Sequence, residues 1–226
     1  MYVLHIANKN YSSWSLRPWV LMQHLGIPFE EINHRFGTGS IKPVSPSGQV
    51  PLLIDGDTKI WESIAIVEYL AERHPGIWPE DPAARAWARS AAAEMHGGFS
   101  HLRNICGMNI GLRIKLNTVP DGLRQNLNRL EDLWKDGLLR FGGPFLAGEK
   151  FTAVDAFFAP VAFRIQTYNP SVEERARAYA ARLLGLPAMQ AWSAAALAED
   201  YRDPPHDAEN QAVGTITADF RAPEKS

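Results

Sequence analysis

The chain has 226 residues, 46% of them apolar, with 23 Lys and Arg against 25 Asp and Glu for a formal net charge of −2. That length and composition suit a globular protein with one or two cores, and the near-balance of charge without a dense basic run gives no footprint for nucleic acid or an anionic membrane. A single cysteine, Cys106, excludes an internal disulfide, a Cys-x-x-Cys redox pair and a cysteine zinc site, so any thiol chemistry has to borrow its sulfur and no metal is expected.

The chain opens on Tyr2 to Ala7, which reads as a buried strand. It is too short for a secretory apolar segment and lacks a basic leader, and no later apolar run is long enough to cross a bilayer. A cytoplasmic location, small-molecule partners and self-association are therefore expected. After the polar turn Asn8 to Tyr11, the run Ser12-Ser13-Trp14-Ser15 leads into a helix whose apolar face carries Leu16, Trp19, Val20 and Leu25 and which stops at Gly26 and Pro28. Phe29 to Asn33 reads as a second strand, and a right-handed crossover makes the two strands parallel. Arg35 to Ser47, with Pro43 and Pro46, is predicted to be an irregular loop. The dipeptide Asp55-Gly56 then joins Val50 to Ile54 with Lys59 to Trp61 as a hairpin that has Pro51 at a strand start. Ile64, Val67, Tyr69, Leu70 and Ala71 recur at helical spacing, and Glu62 and Ser63 fall in that helix's first turn, where an anion is favoured. Residues 1 to 76 thus form a small mixed α/β domain.

The proline-rich run Pro75 to Pro82 reads as a linker, after which strand-like alternation gives way to alanine-rich helical patterns. Helices are predicted over Ala83 to Leu116, Asp121 to Arg140, Thr152 to Tyr168, Val172 to Leu184 and Pro187 to Asp200, so residues 83 to 200 form an all-α domain. Thr152 and Asp155 are spaced for a reciprocal cap, with Phe151 and Ala156 as an apolar staple, and Asp155 is read as structural. The tail, 201 to 226, is polar and expected to wrap the surface or stay partly disordered.

The strongest chemical signal is the pair Ser12 and Ser13, which places O–H donors at the positive end of a helix dipole, where a thiolate is stabilised. Ordinary capping is the alternative. A donor and a dipole together can lower a thiol pKa by about one to two units, at ~1.4 kcal/mol each. Val50, just before Pro51, is extended and free to pair its backbone with a peptide ligand, the alternative being a plain edge strand. Met95, His96, Phe99, Leu102, Arg103 and Met108 share the first long helix, and Cys106 is read as a packed thiol.

Two strings carry a family resemblance: Gln49-Val50-Pro51-Leu52-Leu53 with its Asp-Gly hairpin, and Glu62-Ser63-Ile64-Ala65-Ile66-Val67-Glu68-Tyr69-Leu70. They resemble the glutathione-binding half of cytosolic glutathione transferases, and Ser12-Ser13-Trp14-Ser15-Leu16-Arg17 resembles the serine motif of zeta-like members. The resemblance implies a thioredoxin-like N-terminal domain, a helical C-terminal domain and a homodimer. It implies glutathione as co-substrate, conjugated to a small electrophile in detoxification. Glutathione would lie against Val50 and the family's cis-proline, here Pro51, with its γ-glutamyl end at Glu62 and Ser63, its glycine carboxylate near His34, Lys42 and Gln49, and Trp14 beside it. The zeta register puts Ser12 on the activating serine, and a theta-like count favours Ser13. Trp14 stands where the zeta motif has cysteine and Leu16 where it has an aromatic residue, which favours general conjugation over isomerisation of the maleylacetoacetate type. A non-catalytic glutathione-binding module is the other alternative, whereas a thiol oxidoreductase would need a cysteine in the first turn.

Overall fold

The computed structural model describes residues 1–221. Four strands, β1 (Tyr2–Ala7), β2 (Phe29–His34), β3 (Leu52–Asp55) and β4 (Thr58–Trp61), form one sheet in the order β2-β1-β3-β4. β1 runs parallel to β2 and antiparallel to β3, as a crossover followed by a hairpin dictates. Gly56, at φ 57°, supplies the left-handed turn that lets β3 and β4 meet. Helix α1 (Ser13–His24) crosses between β1 and β2 and α2 (Ser63–Ala71) follows β4, each packing Leu or Val side chains against Leu4, Ile6 and Leu53 of the sheet.

The second domain is helical, built from α3 (Pro82–Gly97), α4 (Ser100–Ile105), α5 (Asp121–Arg140), α6 (Ala153–Tyr168), α7 (Glu174–Leu184) and α8 (Pro187–Ala198). α6 is its axis: Phe157, Phe158 and Phe163 are buried on different faces, and Trp134 of α5 and Tyr179 of α7 close around it. The cap predicted at Thr152 and Asp155 is present. α1 rests against α6 and α8, with Trp19 edge-on to Trp192 at 5.0 Å, so one apolar seam joins the two domains. No helix among the described residues is long and apolar enough to cross a membrane.

Two expectations are corrected. The single helix predicted over Ala83 to Leu116 is broken at Gly98 and Phe99 and ends at Ile105, after which Leu112–Leu116 forms a strand, β5. The break has a local cause, because a Cβ on Gly98 would sit 2.7 Å from the Glu94 carbonyl oxygen, a closeness that only glycine permits. The strand follows from the alternation Leu112-Arg113-Ile114-Lys115-Leu116, in which Leu112 and Ile114 are buried and Lys115 is exposed. The tail is ordered through residue 221: Asp203 caps α9 (Pro204–Val213), and β6 (Gly214–Asp219) pairs antiparallel with β5. The helical domain therefore carries a two-stranded ribbon, and the tail wraps the surface by completing it. Residues 222–226 of the predicted tail lie outside the described residues.

Candidate active site

A cavity of about 860 Å³ opens where the two domains meet. One wall is the end of β1, the start of α1 and the loop after β2; the other is Arg103, Met108, Arg164 and two residues of α9, His206 and Glu209. Ser12 caps α1 and Ser13 is its first residue, so both hydroxyls stand at the positive end of the helix and line the cavity. Ser12 Oγ donates to Ser15 Oγ at 2.8 Å, and Ser15 Oγ also accepts the Ala7 N–H at 3.2 Å. Ser13 Oγ accepts from Arg164 Nη2 at 3.4 Å.

Two arginines of the lining, Arg103 and Arg164, and a third close by, Arg17, have no carboxylate beside them among the described residues. Arg17 is wholly buried, with its guanidinium 4.2 Å from the Trp14 ring centre and 5.0 Å from that of Phe157, and its Nε and Nη1 have no hydrogen-bond partner. Burial holds its pKa well below the ordinary value, and the neighbouring charges of Arg164 and Arg103 push the same way. Arg164 donates from Nε to the Cys106 carbonyl at 2.8 Å while Nη1 is unpartnered, and burial lowers its pKa to about 10. Arg103 donates to the His96 carbonyl at 2.9 Å and covers Trp14 from 5.1 Å. Among the described residues none of the three has a carboxylate partner, so the cavity carries a positive field that an anion would neutralise. Arg17 therefore carries no internal ion pair among the described residues.

A smaller hollow of about 200 Å³ adjoins, lined by Trp14, Ser47, Gln49, Val50, Pro51 and Glu62. It shares Trp14, Gln49 and Val50 with the larger cavity, so the two hollows meet at these residues. The Val50–Pro51 bond is cis, and Glu62 is held at φ 68° at the start of α2. Ser63 lies behind this hollow, wholly buried, with its Oγ 3.5 Å from Nδ1 of His96, while His96 Nε2 is 3.8 Å from the Glu62 carboxylate. Lys42 and Gln49 line the larger cavity, as does His34. His34 needs a correction: its Nε2 meets His5 Nδ1 at 2.9 Å and its Nδ1 meets Ser40 Oγ at 2.8 Å, and burial lowers the pKa of both imidazoles. With both nitrogens engaged it anchors the loop and is not a free donor for a carboxylate.

Sequence reasoning missed Arg164, His206 and Glu209. The first had a signal, a lone arginine within the apolar run of α6; the tail residues had only an Asp-x-x-His cap pattern, which reveals a helix start and no destination. Cys106 is 1% exposed, and burial pushes its thiol up to about 12, so it stays protonated and packed, as read from the sequence.

Residues 11–73 match the profile "Glutathione S-transferase, N-terminal domain" and residues 116–195 match "Glutathione S-transferase, C-terminal domain". A probable maleylacetoacetate isomerase of Caenorhabditis elegans is 25% identical over 179 residues, spanning 74% of this chain and 80% of the relative. Glutathione S-transferase 1 of Dianthus caryophyllus is 27% identical over 167 residues, spanning 70% of this chain and 74% of the relative. Among solved structures, a glutathione transferase homolog from Burkholderia with bound glutathione superposes with a TM-score of 0.67 at 21% identity, covering 86% of this chain and 97% of that one, which is a likeness of fold.

Proposed function

This chain belongs to the glutathione S-transferase family, and we propose that it binds glutathione across the two hollows and activates its thiol for attack on a small electrophile. The observation that carries this reading is the pair of serine hydroxyls at the α1 start, lining a cavity beside which Arg17, Arg103 and Arg164 have no carboxylate partner among the described residues. Glutathione extends along Val50, its γ-glutamyl end near Glu62 and Ser63 and its glycine carboxylate toward Lys42 and Gln49, with the sulfur at Ser12 or Ser13. The thiol proton leaves to solvent. The thiolate accepts a serine O–H and sits in the field of Arg17, Arg103 and Arg164, which favours its charged form. It then forms the new S–C bond as a leaving group departs or a π pair shifts. The isomerase named for the nematode relative would use the same thiolate, but Trp14 and Leu16 depart from the motif that activity resembles.

The binding half is tested at Glu62. A carboxylate there can receive the γ-glutamyl ammonium, and a contact so far from the sulfur is the same before and during reaction, so it belongs to uniform binding. Glu62→Gln is expected to weaken glutathione by about 1–3 kcal/mol. Ser63→Ala is expected to cost about 1 kcal/mol, since its buried hydroxyl already faces His96 and the backbone N–H remains. Both should raise KM for glutathione without lowering kcat; calorimetric affinity unchanged in both variants would remove the γ-glutamyl group from this hollow.

The chain is further read as one half of a two-fold homodimer working in the cytoplasm. Light scattering at micromolar concentration should report about twice the 25.2 kDa chain mass, and a mass of one chain would overturn the assembly.

A further inference from the structure

We infer that His206, oriented by Asp203, is a catalytic residue of this site that delivers a proton to the electrophile when the thiolate adds to an activated alkene. The inference rests on the glutathione reading above and adds to it a group from the C-terminal tail.

Four observations carry it. His206 lines the same cavity as Ser12 and Ser13 although it comes from α9, beyond the rest of the helical domain. Its Nδ1 contacts the Asp203 carboxylate, whose side chain is only 6% exposed and which also accepts the His206 backbone N–H. A carboxylate only accepts, so Nδ1 carries a proton and Nε2 is left as the working nitrogen, without a protein partner among the described residues. The ring cannot swing freely, because it stacks on Tyr11 at 5.2 Å between centres and tilts against Phe36 at 4.9 Å.

Tyr11 immediately precedes Ser12, so the imidazole stands one ring away from the start of the thiol-binding helix. The tyrosine itself cannot serve as the proton donor. Its hydroxyl donates to Asp207 Oδ1 at 3.1 Å and receives from Arg221 Nη1 at 3.1 Å and the Asp203 N–H at 3.3 Å. The same arrangement fixes α9 in place, since Arg221 also pairs with both oxygens of Asp207. An Asp and a His at a helix start can form a local cap alone, but a cap does not require the histidine to line the cavity with one ring nitrogen unused.

The chemistry follows from what conjugate addition needs. When the glutathione thiolate attacks the β-carbon of an alkene conjugated to a carbonyl, the S–C bond forms and the π pair moves to the α-carbon and carbonyl oxygen. His206 enters this step with both ring nitrogens protonated, and its Nε2 proton passes to that α-carbon or enolate oxygen, completing the adduct. His206 is left neutral with Nδ1–H still on Asp203, and it regains a proton from water. Substitution at an aryl halide ends instead with loss of halide and needs no delivered proton.

The test compares a phenyl-substituted enone with a dinitro-substituted aryl chloride as glutathione acceptors, using the full-length protein. His206→Gln is expected to lower kcat with the enone at least about tenfold more than with the aryl chloride. Asp203→Asn should shift the same ratio in the same direction by a smaller factor, and the solvent deuterium effect on enone addition should be larger in the wild type than in His206→Gln. A loss equal for both acceptors, or none for the enone, overturns the role of His206. A wild type that consumes the aryl chloride but not the enone overturns proton delivery to an alkene as well. Failure of the glutathione reading shows itself earlier, as a wild type that consumes neither and does not bind glutathione.

Discussion

Ser12→Ala is expected to lower kcat with any active electrophile by more than about tenfold while glutathione still binds. In the free protein the Ser12 hydroxyl is bonded to Ser15 Oγ, so serving the thiolate means exchanging a neutral hydrogen bond for one to a charged acceptor. The bond given up is worth about 1 kcal/mol, and a bond to a charged acceptor about 1.5–3 kcal/mol, so the exchange is favourable. Ser15 Oγ keeps the Ala7 N–H as its donor and is not stranded. Removing the hydroxyl takes away a donor that acts on the sulfur and not on the peptide ends of glutathione, so the loss falls on turnover rather than affinity. Ser13→Ala should lose less, through the Arg164 guanidinium that its oxygen holds. Steady-state kinetics of the two variants beside glutathione calorimetry decide the matter. If Ser12→Ala is harmless and Ser13→Ala is not, Ser13 is the activating donor; if both are harmless, hydroxyl activation is wrong and the arginine field acts alone.

Asp155→Ala is expected to destabilise the fold by about 3–5 kcal/mol, the cost of stranding several buried donors at once. The carboxylate accepts the Leu146 N–H at 3.0 Å and the Tyr179 hydroxyl at 2.7 Å on one oxygen, and the Thr152 N–H at 2.9 Å on the other. It thereby ties the loop before α6, the start of α6 and the middle of α7 to one group. For a chain of this size the loss corresponds to a fall in Tm of about 6–20 °C. Burial raises the Asp155 carboxyl from 3.8 to about 6, so the folded state holds this proton more tightly than the unfolded chain does. Its contribution therefore makes stability fall as pH rises from about 4 to about 6, a slope that Asp155→Asn should remove. Thermal unfolding of the wild type and both variants across that range would show it, and a Tm for Asp155→Ala within about 2 °C of wild type would refute the structural role.

Much of this protein was legible in its amino-acid order because the signals are local. A short apolar run marked β1, Asp55-Gly56 marked the hairpin, and Thr152 with Asp155 marked the α6 cap; each is a relation between residues a few places apart, which the chain imposes wherever it folds. The hydroxyl pair at Ser12 and Ser13 and the helix start at Glu62 and Ser63 were visible for the same reason. What lay hidden depends on partners far along the chain. The alternation in Leu112 to Leu116 becomes a strand because β6 arrives from the tail to pair with it. His34 is engaged on both sides only once β1 and β2 lie side by side and bring His5 to it. Arg164 meets Ser13, and His206 meets Tyr11, across a seam that exists only after the two domains close on each other. Local order determined the elements and the hydroxyl end of the cavity, whereas tertiary packing decided its charge and its far wall, because burial without a partner and stacking between distant rings are properties of assembled surfaces.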